Sequence, residues 1–180
     1  MTQEVLSAAA LLRKKCPELR VRVVNVTDLM ILAPHSVHPH GLTKEAFDTL
    51  FTPDRAIHFN YHGYPIELKG LLFGRPHLDR VSIEGYNEEG TTTTPFDVSI
   101  ILSLFKYLTN SRFQMMLCNR TSRFHVAAAA VRGGARVNPK VSVVEHELVS
   151  ELLHDAEVYR KYAHEQGDDM PDTYDTPKFD

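Results

Sequence analysis

Gly85-Tyr-Asn-Glu-Glu-Gly-Thr-Thr-Thr-Thr-Pro-Phe-Asp97 is the stretch around which the rest of the chain can be interpreted. Gly85 and Gly90 bracket a polar turn, where glycine permits a positive φ or a close approach of another backbone. Thr94 is placed to cap a helix that begins at Pro95, because proline lacks the N–H that would stay unpaired there. Asp97 completes a capping box. The stretch therefore predicts a sharp turn that leads directly into a helix.

This turn has two interpretations. In the first it is structural, and its threonines only start the helix. In the second it is a loop that contacts a ligand or a neighbouring domain, because the free N–H groups of a helix start attract anions. The two glutamates would oppose an anion there. The candidate contact residues of the second interpretation are Glu88, Glu89, Thr91, Thr92, Thr93 and Thr94.

The hydrophobic pattern upstream of the turn predicts an α/β fold. Strands are predicted at 21–26, 56–62 and 81–84, and the last delivers the chain into the Gly85 turn. The first of them, rich in valine, suits a strand buried on both faces. Helices are predicted at 3–15, after Thr43 and from Ile66. This alternation of helices and strands predicts a largely parallel sheet covered on both faces.

Downstream of the turn the pattern is helical. One helix is predicted from Ser122 and is expected to end at Gly133-Gly134. A capping box of Ser142 and Glu145 predicts the start of the next helix, which Gly167 should close. Residues 168–180 contain five aspartates and two prolines. They predict an acidic tail that cannot bury enough apolar surface to become ordered.

The composition of the chain limits the classes of protein to which it can belong. The chain has 180 residues, 43% of them hydrophobic, which suits one domain of ordinary size. A net charge of −3 argues against a general nucleic-acid binder or a binder of anionic membranes. The two cysteines lack metal-type spacing, and the sequence shows no signal peptide, which predicts a cytosolic protein. No apolar run reaches about 20 residues, so no membrane span is predicted.

Ten histidines are the strongest compositional anomaly, and they raise the hypothesis of a small metal-dependent hydrolase. A divalent ion needs three or four converging ligands, and the spacing matches no known metal motif. Polar loop contacts are the favoured role of His38, His40 and His62. Arg75 and Arg80 flank His77 and suit either a phosphate contact or a surface role. No catalytic motif identifies a reaction.

Five segments of the chain, in order, closely resemble the C-terminal domain of phosphoketolases. They are residues 23–30, 38–42, 62–65, 85–97 and 167–171. The resemblance implies a transketolase-type, three-layer α/β/α domain on a mixed, mainly parallel sheet, over residues 1–167. It also implies a parent enzyme that uses thiamine diphosphate and Mg²⁺. Such enzymes cleave xylulose 5-phosphate or fructose 6-phosphate with phosphate, and the products are acetyl phosphate and an aldose phosphate.

The resemblance places the cofactor ligands in the family's other two domains. We therefore expect the 180 residues alone to bind no cofactor and to be inactive, and we expect them to pack on the rest of the subunit and support a homodimer. The histidine loops, Tyr64 and the segment from Glu88 to Thr94 are the expected interdomain surface. The alternative is a freestanding regulatory domain that binds an anion or nucleotide at the threonines.

One segment departs from the family pattern. Relatives pass from the equivalent of Asp97 directly to a sequence like Met115-Met-Leu-Cys-Asn119, so residues 98–114 form an insert of 17 residues, or 51 nucleotides. The insert begins with valine, whose codons start with GT, and ends with glutamine, which CAG encodes. This suggests a translated, unspliced intron. We expect an apolar helix there that has no groove to receive it and favours aggregation.

Overall fold

A computed structural model describes residues 1–87 and 111–179. In chain order the helices of these residues are α1 (Thr2–Lys15), α2 (Lys44–Phe51), α3 (Pro65–Leu72), α4 (Arg112–Cys118), α5 (Arg123–Ala135) and α6 (Pro139–Gln166). The strands are β1 (Ile57–Asn60) and β2 (Val81–Glu84), and short 3₁₀ turns span Leu29–Leu32, Leu78–Arg80 and Pro171–Tyr174. No helix of these described residues is long and apolar enough to cross a membrane.

The sheet half of the molecule confirms the predicted α/β class. β1 and β2 pair in parallel, with Ile57 opposite Val81 and Asn60 opposite Glu84. A parallel pair needs a crossover connection, and α3 lies in that connection and packs on β2. Thr43 caps α2 as predicted, because its hydroxyl accepts a hydrogen bond from the Ala46 N–H at 3.2 Å. The core of this half holds Leu32, Phe47, Ile57, Leu68 and Leu72.

The predicted strand at 21–26 is wrong. These residues pair with no strand among the described parts of the chain, and Val21 and Val23 each keep 39% of their surface exposed. The Arg22 guanidinium instead donates to the carbonyls of Thr49 and Leu50, at 3.1 and 2.9 Å. These bonds tie the segment to the end of α2. A valine-rich run is compatible with a strand, but it does not determine whether the segment pairs with another strand. The described sheet therefore has two strands.

The helical half consists of α5, on which both α1 and α6 pack, and of α4, which packs on α6. α6 is 28 residues long, and Gly167 closes it as predicted, in the left-handed conformation at φ +72°. Its predicted start at Ser142 is wrong. The helix begins at Pro139, and the Asn138 side chain caps it by accepting from the Lys140 N–H at 3.1 Å. Asparagine followed by proline is the stronger start signal.

The expected helix end at Gly133-Gly134 is also wrong, because α5 continues to Ala135. A Cβ atom on Gly133 would lie 2.6 Å from the Cβ of Ala56, and one on Gly134 would collide with a methyl group of Leu19. The two glycines therefore let the chain before β1 and the loop after α1 approach the helix closely.

The expectation that the acidic tail cannot bury surface is wrong for its first half. Thr173 is 1% exposed and Asp169 is 8% exposed, and a 3₁₀ turn spans Pro171–Tyr174. The expectation that no groove receives the insert is also wrong for its last residues, because Phe113 and Gln114 are buried in α4. Residues 98–110, on which the rest of the insert hypothesis falls, lie outside the described residues.

Candidate functional site

The loops that follow β1 and β2 lie side by side at the carboxyl end of the sheet. The Tyr61 N–H donates to the Glu84 carbonyl at 2.9 Å, and the Tyr86 N–H donates to the Gly63 carbonyl at 3.0 Å. Gly85 is required at this junction, because a Cβ atom there would lie 2.5 Å from the Gly63 oxygen. The predicted turn therefore joins the two loops through backbone contact. In parallel sheets this end is where ligands and neighbours are usually bound.

A cavity of about 450 Å³ opens between these loops and the end of α4. The rings of Tyr64 and Tyr86 meet edge to face in its wall, with centroids 5.2 Å apart. The Asn87 N–H donates to the Asn119 side chain at 2.9 Å, which ties the turn to α4. Arg120 lies 3.7 Å from the Glu84 carboxylate at the cavity rim. The cavity is thus polar at its rim and aromatic in one wall.

The structure brings His38 and His40 together in one loop. Their ring centroids are 5.3 Å apart, and the His40 N–H donates to the His38 Nδ1 atom at 3.2 Å. The His35 Nδ1 atom lies within hydrogen-bonding distance of the Gly41 carbonyl, at 3.1 Å. The His40 Nδ1 atom also lies 3.8 Å from the Asp28 carboxylate, and a role of His38 and His40 in ligand or interdomain contacts stays a prediction.

Of the other predicted site residues, His62 and Tyr64 are exposed next to the cavity loops. The predicted contact residues of the turn lie outside the described residues: Glu88, Glu89, Thr91, Thr92, Thr93 and Thr94. Their interdomain role therefore stays a prediction.

The metal hypothesis finds no ligand set in the part of the chain that the structure describes. No three side chains of histidine, cysteine, aspartate or glutamate converge in residues 1–87 and 111–179.

Large apolar side chains are exposed near the same loops. Val37 in the histidine loop is 72% exposed, and Ile66 and Phe73 on and after α3 are 70% and 80% exposed. The inner residues of the same helix, Leu68 and Leu72, are each 1% exposed. α3 thus has one face in the core, and the described residues leave Ile66 and the following Phe73 uncovered on its outer side, beside the charged Lys69. Exposed apolar patches mark interaction surfaces.

Arg75 fits neither of its predicted roles. It is 7% exposed, and its guanidinium donates to the carbonyls of Leu32 and Ala33 at 3.0 and 2.6 Å. It also stacks on the Phe47 ring, with its central carbon 4.3 Å from the ring centroid. Arg75 therefore satisfies the end of the first 3₁₀ turn and is not available to a phosphate.

Sequence reasoning missed a buried polar cluster that joins the two ends of the chain. The Arg123 guanidinium donates to the Glu4 carboxylate at 2.8 and 3.1 Å, and the Arg123 backbone N–H donates to the same carboxylate at 2.8 Å. Arg123 also donates to the Thr173 carbonyl. Glu4 is 3% exposed and Arg123 is 8% exposed. Because 119 residues separate the pair, no local spacing could have indicated it.

The acidic tail completes this cluster. Asp169 accepts from the hydroxyls of Ser111 and Tyr174, each at 2.6 Å. The hydrogen bond to Asp169, with burial, raises the pKa of Tyr174 to about 12. Burial and a 2.6 Å hydrogen bond to Asp172 raise the pKa of Tyr159. The tail is therefore held by neutral tyrosines that donate to its carboxylates.

A larger trough, about 960 Å³, lies between the sheet and helices α1 and α5. His58 lines it, and burial lowers the pKa of His58 to about 4. The Ser82 hydroxyl donates to the Ile57 carbonyl at 3.3 Å, so the His58 Nδ1–H must donate to Ser82 at 2.9 Å. This leaves the buried His58 Nε2 atom as an acceptor without a partner among the described residues. The exposed arginines in the trough wall include Arg20, Arg132 and Arg136.

The fold and these loops define an α/β domain with a small parallel sheet and an apolar face that the described residues leave uncovered. The sequence model of the family described as "XFP C-terminal domain" matches residues 1–111 and again 105–178. The chain belongs to the phosphoketolase C-terminal domain family.

Curated relatives agree with this assignment. A probable phosphoketolase of Schizosaccharomyces pombe is 47% identical over 98% of this chain. Probable phosphoketolases of Mesorhizobium japonicum and Gloeobacter violaceus are 39% and 38% identical over 97% of it. The chain spans 19% of the length of each of these three relatives. It therefore corresponds to about a fifth of a phosphoketolase.

Proposed function

We propose that this chain is a structural domain of a phosphoketolase, and that it packs on the remaining domains and supports a cytoplasmic homodimer. The observation that carries the proposal is a mismatch in coverage. The alignment with the fission yeast relative takes in 98% of this chain and only 19% of that protein. The proposed boundaries are residues 1–167 for the domain and 168–180 for the tail.

The apolar face of the domain supports this role. Val37, Ile66 and Phe73 are 70% to 80% exposed. Val37 precedes His38, Ile66 lies in the first turn of α3 after Tyr64, and Phe73 follows the other end of α3. Burying three such side chains against a partner would contribute several kcal/mol, at roughly 1.5–3 kcal/mol each. The proposed contact surface consists of these side chains and the turn from Glu88 to Thr94.

The proposed parent reaction uses thiamine diphosphate and Mg²⁺ to cleave xylulose 5-phosphate or fructose 6-phosphate with phosphate, giving acetyl phosphate. The cofactor supplies the carbanion chemistry of that reaction. The chain matches only 19% of its fission yeast relative, so the reactive centre is proposed to lie in the other domains. The chain alone should therefore be inactive.

An activity comparison tests this proposal. The chain alone, given thiamine diphosphate, Mg²⁺, ketose phosphate and phosphate, should form no acetyl phosphate above background. A chimera of the fission yeast relative, in which this chain replaces the matching fifth, should form acetyl phosphate. A version of that relative that lacks the fifth should be inactive. Acetyl phosphate formation by the isolated chain would refute the proposal.

The trough favours a second candidate function, binding of a small anion. Its wall includes six arginines, among them those at 20, 132 and 136, and three carboxylates, those of Glu18, Asp79 and Glu84, so the trough is locally basic in a chain of net charge −3. Guanidinium groups suit phosphate and carboxylate ligands. Inorganic phosphate should then raise the melting temperature of the chain, and replacement of Arg132 and Arg136 by alanine should abolish the rise. No rise in the unsubstituted chain excludes this function.

A further inference from the structure

The first residues of α4 occupy a closed apolar pocket. Phe113 is 1% exposed and packs with Met116, Leu117, Phe124 and Ala156. We call the space that holds its ring the Phe113 pocket. The Arg123 guanidinium lies over the ring, 5.3 Å from its centroid, and the Tyr159 ring lies 5.8 Å away.

The residues around Phe113 anchor the segment. The Ser111 hydroxyl accepts from the Gln114 N–H at 3.0 Å and donates to Asp169 at 2.6 Å. Arg112 is exposed, and Gln114 is 8% exposed. The Phe113 pocket therefore suits a segment of four residues. The first is a hydroxyl residue, the second can be any residue that starts a helix, the third is phenylalanine and the fourth is polar.

The same pattern occurs 17 residues earlier in the sequence. Thr94-Pro95-Phe96-Asp97 aligns with Ser111-Arg112-Phe113-Gln114 position by position. Threonine and serine both cap helices, and proline is favoured at the first helical position. Aspartate and glutamine are both polar residues that suit the third helical position. Each segment thus contains a hydroxyl residue, a phenylalanine and a polar residue in the same order.

The family comparison supports this equivalence. The family model matches the chain in two pieces that overlap over residues 105–111. The change from the first piece to the second therefore lies in the interval that separates the two equivalent segments.

We propose that the Phe113 pocket accepts either segment, so that residues 98–114 can be removed without loss of the fold. In the shortened chain Asp97 is joined to Met115, and Thr94 to Asp97 take the places of Ser111 to Gln114. Phe96 then fills the Phe113 pocket, and the Thr94 hydroxyl donates to Asp169. This inference concerns the folding of the domain, so it stands or falls independently of the proposed enzymatic role.

Two deletions of equal length test the proposal. Deletion of 98–114 leaves only the Thr94 segment before Met115, and deletion of 94–110 leaves only the Ser111 segment. Both shortened chains should unfold cooperatively, with melting temperatures within a few degrees of each other. If the second folds and the first does not, the Thr94 segment does not fit the pocket. If neither folds, residues 98–110 are required. Either outcome overturns the proposal.

Alanine substitutions locate the ring in the pocket. In the full chain, Phe113→Ala should lower the melting temperature by about 10 °C, and Phe96→Ala should lower it by less. In the chain without 98–114, Phe96→Ala should lower it by about 10 °C. If Phe96→Ala costs no more in the shortened chain than in the full chain, the exchange of segments is wrong.

Discussion

The polar cluster around Arg123 and the loop surface around α3, which consists of Val37, Ile66 and Phe73, differ in both chemistry and exposure. The cluster closes on itself, because Arg123 pairs with Glu4 and with the Thr173 carbonyl, and all three residues are at most 8% exposed. The loop surface keeps Ile66 and Phe73 at 70% and 80% exposure. The cluster therefore holds the domain together, and the loop surface is the part that we propose binds another domain.

Removal of Arg123 should have the largest effect on the cluster side of this comparison. Arg123→Ala leaves the Glu4 carboxylate buried without its partner, and loss of one partner of a buried pair costs about 3–5 kcal/mol. Urea denaturation should show that loss of unfolding free energy. Lys140→Ala is the matched control, because it breaks the exposed pair with Glu18, 3.2 Å apart, and such pairs contribute about 0–1 kcal/mol. Equal effects of the two substitutions would contradict this account of the cluster.

Acid should weaken both halves of the molecule through one partly buried histidine in each. Burial lowers the pKa of His58 in β1 to about 4, and burial with the charges of Arg120 and Arg132 lowers that of His125 in α5 to about 4. Between pH 6.5 and pH 4 the unfolded chain binds more protons, so stability falls as the pH falls, by at most about 1.4 kcal/mol per pH unit for each histidine.

Denaturation at pH 7 and at pH 5 measures this slope. His58→Gln should reduce the slope, and His146→Gln, at an exposed position of α6, should leave it unchanged. An unchanged slope in the His58 variant would show that this ring is not held neutral by the fold.

Two glycine substitutions should have smaller effects of opposite sign. Gly133→Ala places a Cβ atom 2.6 Å from Ala56, where α5 meets the sheet half. It should destabilise the fold by about 1–2 kcal/mol, because overpacking exceeds the gain in helix propensity. Gly70→Ala in α3 meets nothing within 4 Å and should stabilise by about 0.5–1 kcal/mol. Thermal unfolding of the two variants compares the closed junction with the open face directly.

The sequence predicted those parts of the fold that are encoded locally. β2, α2 and the end of α6 follow from short signals, such as the Thr43 cap and the left-handed Gly167. The strand at 21–26 and the helix end at Gly133 were mispredicted, because strand pairing and close packing depend on distant partners such as Thr49 and Ala56.

The same limit applies to the candidate site. The adjacency of the β1 and β2 loops follows from a parallel sheet, and Gly85 could be predicted to lie there. The tail could not be placed from its composition, because its order rests on Arg123, Ser111 and Tyr159, whose burial is set by packing of the whole helical half.

The most direct test of the central claim is association of this chain with the fission yeast relative that lacks its matching fifth. Ile66→Asp combined with Phe73→Asp should weaken association at least tenfold in a titration and leave the melting temperature of the chain nearly unchanged, because both side chains are exposed. Val143→Asp, at an 85% exposed position of α6, is the control and should bind like the unsubstituted chain. Equal affinity of all three chains, or no association at all, would contradict a role for this face in joining the domain to its enzyme.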